Sequence, residues 1–140
     1  MSPDRKYLLG GLLLLLGIPL LVIIFQMHNR PDTGPGSTLY REHCSACHGQ
    51  DGKGLRALYP PLADSPYLIE QQALLPCLIR VGIRGSLVTA DGSYNQRMPA
   101  FPDLTPAALS QLILYLQSRW GKTSQDSSVK NVEQQLLLCP

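Results

Sequence analysis

The sequence predicts an all-α domain behind one apolar N-terminal helix, and three observations carry that expectation. Residues 7–25, YLLGGLLLLLGIPLLVIIF, hold no charge. Leu109, Leu112, Ile113 and Leu116 recur at i, i+3, i+4 and i+7 behind Thr105-Pro106, the pattern of an amphipathic helix with its cap. No strand–helix–strand pattern surrounds the cysteine pair Cys44 and Cys47. The 140 residues allow one domain with an appendage. A mean hydropathy of zero averages the apolar run with a polar-leaning remainder rich in Pro and Gly. One Trp, six Tyr and two Phe are a thin aromatic supply for the core. Twelve Lys+Arg stand against ten Asp+Glu, with no basic run longer than Arg5-Lys6, so the footprint of a nucleic-acid binder is absent. The chain is also too apolar and too weakly charged to be disordered.

Taken in order, the apolar run comes first. About 19 residues at roughly 1.5 Å each span about 28 Å, close to a bilayer's hydrocarbon thickness. Pro19 and three glycines are tolerable in a membrane helix. The alternative is a cleaved signal peptide, but the run is longer than the usual h-region and no small-x-small site follows it. Arg5 and Lys6 before the run place the N-terminus in the cytoplasm and the domain outside, at the outer, periplasmic face of the cytoplasmic membrane. The expected organisation is an anchor over 1–28, a linker over 29–36, a domain over 37–121 and a tail over 122–140.

Cys44-Ser45-Ala46-Cys47-His48 is a C-x-x-C-H pattern, the signature of c-type haem attachment. Two thiols about one helical turn apart can each bond one vinyl group of a single haem, and the next histidine is placed to bind the iron. A thioredoxin-like pair would want a βαβ context. A zinc site would want a second ligand pair, whereas Cys77 and Cys139 are isolated.

From this motif outward, residues 36–120 resemble the class I monohaem cytochromes c. The resemblance implies a helical fold around one covalent haem c, here behind a single transmembrane helix. It implies a first helix, STLYREHCSACHG, with Ser37 able to cap it and Gly36 and Tyr40 at a crossing with the last helix. Gln50-Asp51-Gly52-Lys53-Gly54 is turn chemistry that the family shares. Tyr59-Pro60-Pro61-Leu62 is similar to the family's P-x-L loop, whose proline carbonyl accepts the second ring N–H of the ligating histidine. Pro60 matches best, with Pro61 possible. A middle helix is expected over 69–81, either shortened or kinked by Pro76.

For the second axial position the candidates are Met1, Met27, Met98, His28 and His43. Met98-Pro99-Ala100-Phe101 resembles the family's ligand loop, which implies His48 and Met98 as the iron ligands. A proline after the methionine stiffens that loop. Tyr115 resembles the aromatic at the helix crossing, and Trp120-Gly121 closes the last helix. Arg80, Arg84 and Tyr94 either reach the haem propionates or are ordinary surface charges and a core tyrosine. Cys77 and Cys139, left over in an oxidising compartment, suggest a disulfide. Residues 128–138 read as a weak amphipathic helix that docks on the domain or on a partner subunit.

The combination YPPLA, Tyr94, MPAF and WG is similar to cytochrome c domains of respiratory complexes and membrane-bound dehydrogenases. The implied function is single-electron transfer beside the membrane, to or from a quinol-oxidising complex, a terminal oxidase or a dehydrogenase. The polypeptide is expected not to be an enzyme by itself. A peroxidase-like subunit or a gas sensor would need a displaceable Met98.

Overall fold

The computed structural model describes residues 15–26, 33–56, 58–89, 92–122 and 125–140. Met1, Met27 and His28, the start of the expected anchor and the first half of the expected linker lie outside them. The chain divides into two units, residues 1–32 and 33–140.

In the first unit, residues 15–26 form helix α1. No helix among the described residues is long and apolar enough to cross a membrane. The expected fold class is therefore corrected: the fold is mainly helical, and no helix among the described residues is the single transmembrane helix that was expected. An uncharged composition is a necessary condition for a span, and helix length is a separate one.

The second unit opens with α2, Pro35–His43. Gly34 occupies the cap position and Pro35 the first turn, where a missing N–H costs nothing. Ser37 is not the cap; it is buried and its hydroxyl donates back to the Gly34 carbonyl at 2.7 Å. Cys44 interrupts the helix, and α3, Ser45–His48, continues the turn until Gly49 ends it at φ 75°. The middle of the chain is broken into α4 (Pro66–Ile69), a 3-10 turn (Gln72–Leu74) and α5 (Leu75–Val81). Pro76 sits in the first turn of α5, so it starts a short helix and does not kink a long one.

A two-stranded antiparallel hairpin, β1 (Leu87–Thr89) and β2 (Gly92–Tyr94), follows, with Leu87 opposite Tyr94. The all-α expectation did not include it. Then α6, Pro106–Trp120, begins at Thr105, whose hydroxyl accepts from Ala108 N–H at 3.2 Å. Its buried face carries Leu109, Leu112, Ile113 and Leu116, each contributing roughly 1.5–3 kcal/mol on burial. Tyr40, Leu68, Leu75, Ile79 and Val132 complete that core.

Helices α2 and α6 pack at close range. A β-carbon at Gly36 would collide with the Gln111 carbonyl and the Tyr115 β-carbon, so only glycine lets the backbones approach this far. Beside it, Tyr40 lies 5.5 Å from Tyr115 and 5.1 Å from Trp120, centroid to centroid. Such tilted aromatic contacts add about 0.5–1.5 kcal/mol each beyond burial.

The last helix, α7 (Val129–Leu136), is capped by Ser128 and packs on α5 and α6 through Val132, which is 1% exposed. Polar contacts fasten the segment ahead of it. Ser110 donates to the Ser127 carbonyl at 2.6 Å. The Gln72 side-chain oxygen accepts from Gln117 at 2.8 Å and from the Gln125 N–H at 3.1 Å. Cys77 on α5 is disulfide-bonded to Cys139, across a sequence separation of 62.

A closed loop of that length restricts the unfolded chain by about 4 kcal/mol in the chain-entropy account. Replacing both cysteines by serine is expected to lower the unfolding free energy by about that amount, read from urea titration of the haem-loaded protein. Wild-type protein, denatured without reductant, is expected to show no free thiol at Cys77 or Cys139, and two more after reduction.

Candidate functional site

One large cleft lies in the second unit, with about 1140 Å³ of space, solvent at its mouth included. Sites for drug-sized ligands run roughly 300–1,000 Å³. Its lining is mostly apolar: Leu68, Leu75, Ile79 and Leu116 come from α4, α5 and α6, and Leu62, Ile83 and Phe101 from the connecting loops.

The break at Cys44 between α2 and α3 delivers Cys44, Cys47 and His48 to this cleft. Both thiols are free and half-buried. Burial, and secondarily Cys47 nearby, pushes the Cys44 thiol up to about 12. A redox-active C-x-x-C pair needs the reverse, a thiol easier to ionise than usual. The environment therefore disfavours a thioredoxin-like reading.

His48 donates its Nδ1–H to the Pro60 carbonyl at 2.9 Å. Burial holds this imidazole below its ordinary value, and the Pro60 bond works in the other direction. A neutral ring with Nδ1–H committed to a carbonyl leaves Nε2 as the lone-pair nitrogen, the state a metal ligand needs. The acceptor is held as well: the His48 carbonyl accepts from Gly54 N–H at 2.8 Å and the Gly52 carbonyl from Leu62 N–H at 2.8 Å, so the loop folds back on the motif. Pro61 lines the cleft but does not bond the ring.

Met98 also lines the cleft and pairs backbone to backbone with Ile83, through bonds of 3.1 and 3.0 Å. Tyr94, 5% exposed, stands at the end of β2 and faces the cleft, with Leu87 and Thr89 of β1 beside it. His43 lines the cleft too, 5.3 Å from the Phe101 ring.

Two expected residues are elsewhere. Arg80 does not line the cleft; its guanidinium donates to the Pro102 carbonyl at 3.0 Å and the Leu104 carbonyl at 2.7 Å. Arg84 is exposed and does not line it either. In their place Arg97, exposed and next to Met98, is the one Lys, Arg, Asp or Glu lining the cleft among the described residues. Sequence reasoning passed over it, although its position beside the Met98-Pro99 signal was available.

The donor set is two thiols, the imidazoles of His48 and His43, of which His48 is the one bonded to the Pro60 carbonyl, and one thioether around an apolar cleft with a single arginine. These groups fit an iron porphyrin: thiols for its vinyl groups, nitrogen and thioether for the iron, apolar walls for the ring and a cation for its carboxylates. They fit zinc poorly, because among the described residues no three His, Cys, Asp or Glu converge on one point.

Residues 34–120 match the family model described as cytochrome c. Cytochrome c-552 of Thermus thermophilus is 24% identical over 99 residues, covering 68% of this chain and 75% of that protein. The cytochrome c subunit of alcohol dehydrogenase (quinone) from Gluconobacter oxydans (strain 621H) is 26% identical over 92 residues, covering 64% of this chain. The corresponding subunit from Gluconacetobacter polyoxogenes is 24% identical over 90 residues. The match spans only 19% of each of those two subunits.

Tyr40 offers a test of the site's frame. Its hydroxyl donates to the Gly49 carbonyl at 2.6 Å, just past His48. Burial first, then the neighbouring Cys44, raises the phenol above its usual range. A phenol harder to ionise when folded stabilises the fold below the unfolded value, and that contribution is lost as pH climbs beyond about 10. Tyr40→Phe is expected to cost about 1 kcal/mol at neutral pH and to lessen the alkaline loss of stability. Thermal melts of both proteins near neutral pH and above about pH 10 check both signs.

Proposed function

We propose, from the premise that the chain belongs to the cytochrome c family, that it carries single electrons through one haem c joined to Cys44 and Cys47, with His48 and Met98 as axial ligands. Membership of the family implies covalent haem c; the single haem and the ligand roles belong to this proposal, which the site's composition supports. The observation that carries the reading is the His48–Pro60 bond inside a cleft that Cys44, Cys47 and Met98 also line.

The haem, when bound, supplies an iron that alternates between two oxidation states one electron apart. The chain's own residues do the rest. Cys44 and Cys47 fix the group covalently. Pro60 holds the His48 ring in one tautomer and makes its free nitrogen a better donor. Met98, stiffened by Pro99 and pinned to Ile83, presents a thioether that favours the reduced state. Leu68, Leu75, Ile79 and Leu116 exclude water, and Arg97 offers a cation to the carboxylates.

The polypeptide acts as a carrier and not as an enzyme, because a held methionine leaves no position for a substrate. The likeness to cytochrome subunits of alcohol dehydrogenase (quinone) supports a dehydrogenase complex as its partner. The Cys77–Cys139 disulfide supports work in an oxidising compartment outside the cytoplasm.

Cys44→Ala with Cys47→Ala is expected to leave no haem on the chain after denaturing electrophoresis. Met98→Ala is expected to keep covalent haem and lose the weak far-red band of ferric iron–methionine ligation. Its potential should fall by on the order of 0.1 V, within the roughly 0.8 V that axial ligands govern. Retention of that band and potential in Met98→Ala would remove the axial assignment.

A further inference from the structure

The stretch from Met98 to Leu104 has almost no regular structure, yet it is fastened to α5 and the turn after it at four places. Met98 exchanges both backbone bonds with Ile83. Phe101 N–H donates to the Ile79 carbonyl at 3.1 Å. The Arg80 side chain spans two further carbonyls, Pro102 at 3.0 Å and Leu104 at 2.7 Å. Between Ile79 and Ile83, Gly82 has φ 76°, and a β-carbon there would lie 2.5 Å from the Met98 carbonyl and 2.8 Å from Ala100 N. Arg80 is thus the one side chain among the described residues that fastens this stretch to α5 by hydrogen bonds.

We propose that Arg80 is a positioning residue for Met98: its forked guanidinium holds the Pro102 and Leu104 carbonyls and thereby keeps the Met98 thioether in the cleft. This rests on the reading of Met98 as an axial ligand. The planar fork is what the task requires, because one rigid group meets two carbonyls at once. Those carbonyls belong to the two residues before and after Asp103, so fixing both sets the direction in which the chain leaves Phe101 for α6. Arg80 Nε is buried with no partner. Burial of an unpaired donor is unfavourable, and the two carbonyl bonds are what offset it.

Exogenous imidazole, titrated into the ferric haem-loaded protein, competes with Met98 for the iron and reports how firmly the thioether is held. The shift of the main haem absorption band on imidazole binding gives the apparent affinity in every variant, Met98→Ala included. Arg80→Gln is expected to bind imidazole at least tenfold more tightly than wild type, approaching Met98→Ala, which has no competitor. Arg80→Lys, with one compact head in place of a fork, is expected to fall between, at about threefold. Arg84→Gln removes the same charge from an exposed position and is expected to match wild type, which separates clamping from charge. Wild-type affinity in Arg80→Gln, with Met98→Ala clearly tighter, overturns the inference and leaves the ligand assignment standing. Should Arg80→Gln not fold, Arg80→Lys decides in the same way. Equal affinity in wild type and Met98→Ala removes the ligand assignment itself, and this inference with it.

Discussion

The close approach of α2 and α6 at Gly36 is the contact on which the rest of the structure hangs. With no β-carbon between Gly36 and the Gln111 carbonyl, α2 lies low enough for Tyr40 to stack among Tyr115 and Trp120. Tyr40 in turn bonds the Gly49 carbonyl, and Trp120 donates to the Asp51 carbonyl at 3.2 Å. The two helices therefore hold the segment that directly follows His48. A bulkier residue at Gly36 would tilt α2, and the C-x-x-C-H segment at its end would move with it. Helix packing, in this chain, sets the position of the groups proposed to bind the cofactor.

Helix α5 plays the complementary part. It is seven residues long, too short to persist alone, and it is stabilised from several directions. Leu75 and Ile79 are in the core. Cys77 ties it to the C-terminal segment. Arg80 and the Ile79 carbonyl fasten the stretch that follows Met98. The tail beyond α6 consequently does more than cover apolar surface. By bracing α5 through Cys139 and Val132, it supports the element from which Met98 is held.

Much of this was legible in the sequence wherever the signal was local. C-x-x-C-H, the proline loop, Met98-Pro99 and the capped periodicity of α6 each need only a few neighbouring residues to be recognised, and all four bear on one cleft. What escaped depended on direction or on length. Arg80 and Arg84 are cations of the right kind near the right loop, but nothing local shows that Arg80 turns toward Pro102 and Leu104. Arg97 shows the converse: an unremarkable position in sequence becomes the one strong charge on the cleft among the described residues, beside Met98. The hairpin was missed because three-residue strands give too short an alternation to register, although Asp91-Gly92 is a recognised hairpin signal. The start of α2 shifted from Ser37 to Gly34 because Pro35 suits a first turn and a buried Ser37 serves the helix from within.

The two proposed axial donors are restrained in the same manner, and this bears on electron transfer. His48 is steadied by a backbone carbonyl, that of Pro60. Met98 is steadied by its own backbone bonds to Ile83, and its loop by further backbone carbonyls at Ile79, Pro102 and Leu104. No carboxylate takes part in either restraint, so neither loosens when an acidic side chain titrates. Backbone acceptors fixed by surrounding helices also reorient little when the charge at the cleft changes by one unit. A carrier works fastest when its ligands stay in place between the two oxidation states, and a frame of backbone dipoles supplies that rigidity without placing a second full charge beside the iron. Arg97, the one such charge lining the cleft among the described residues, is exposed at the surface, where water screens it.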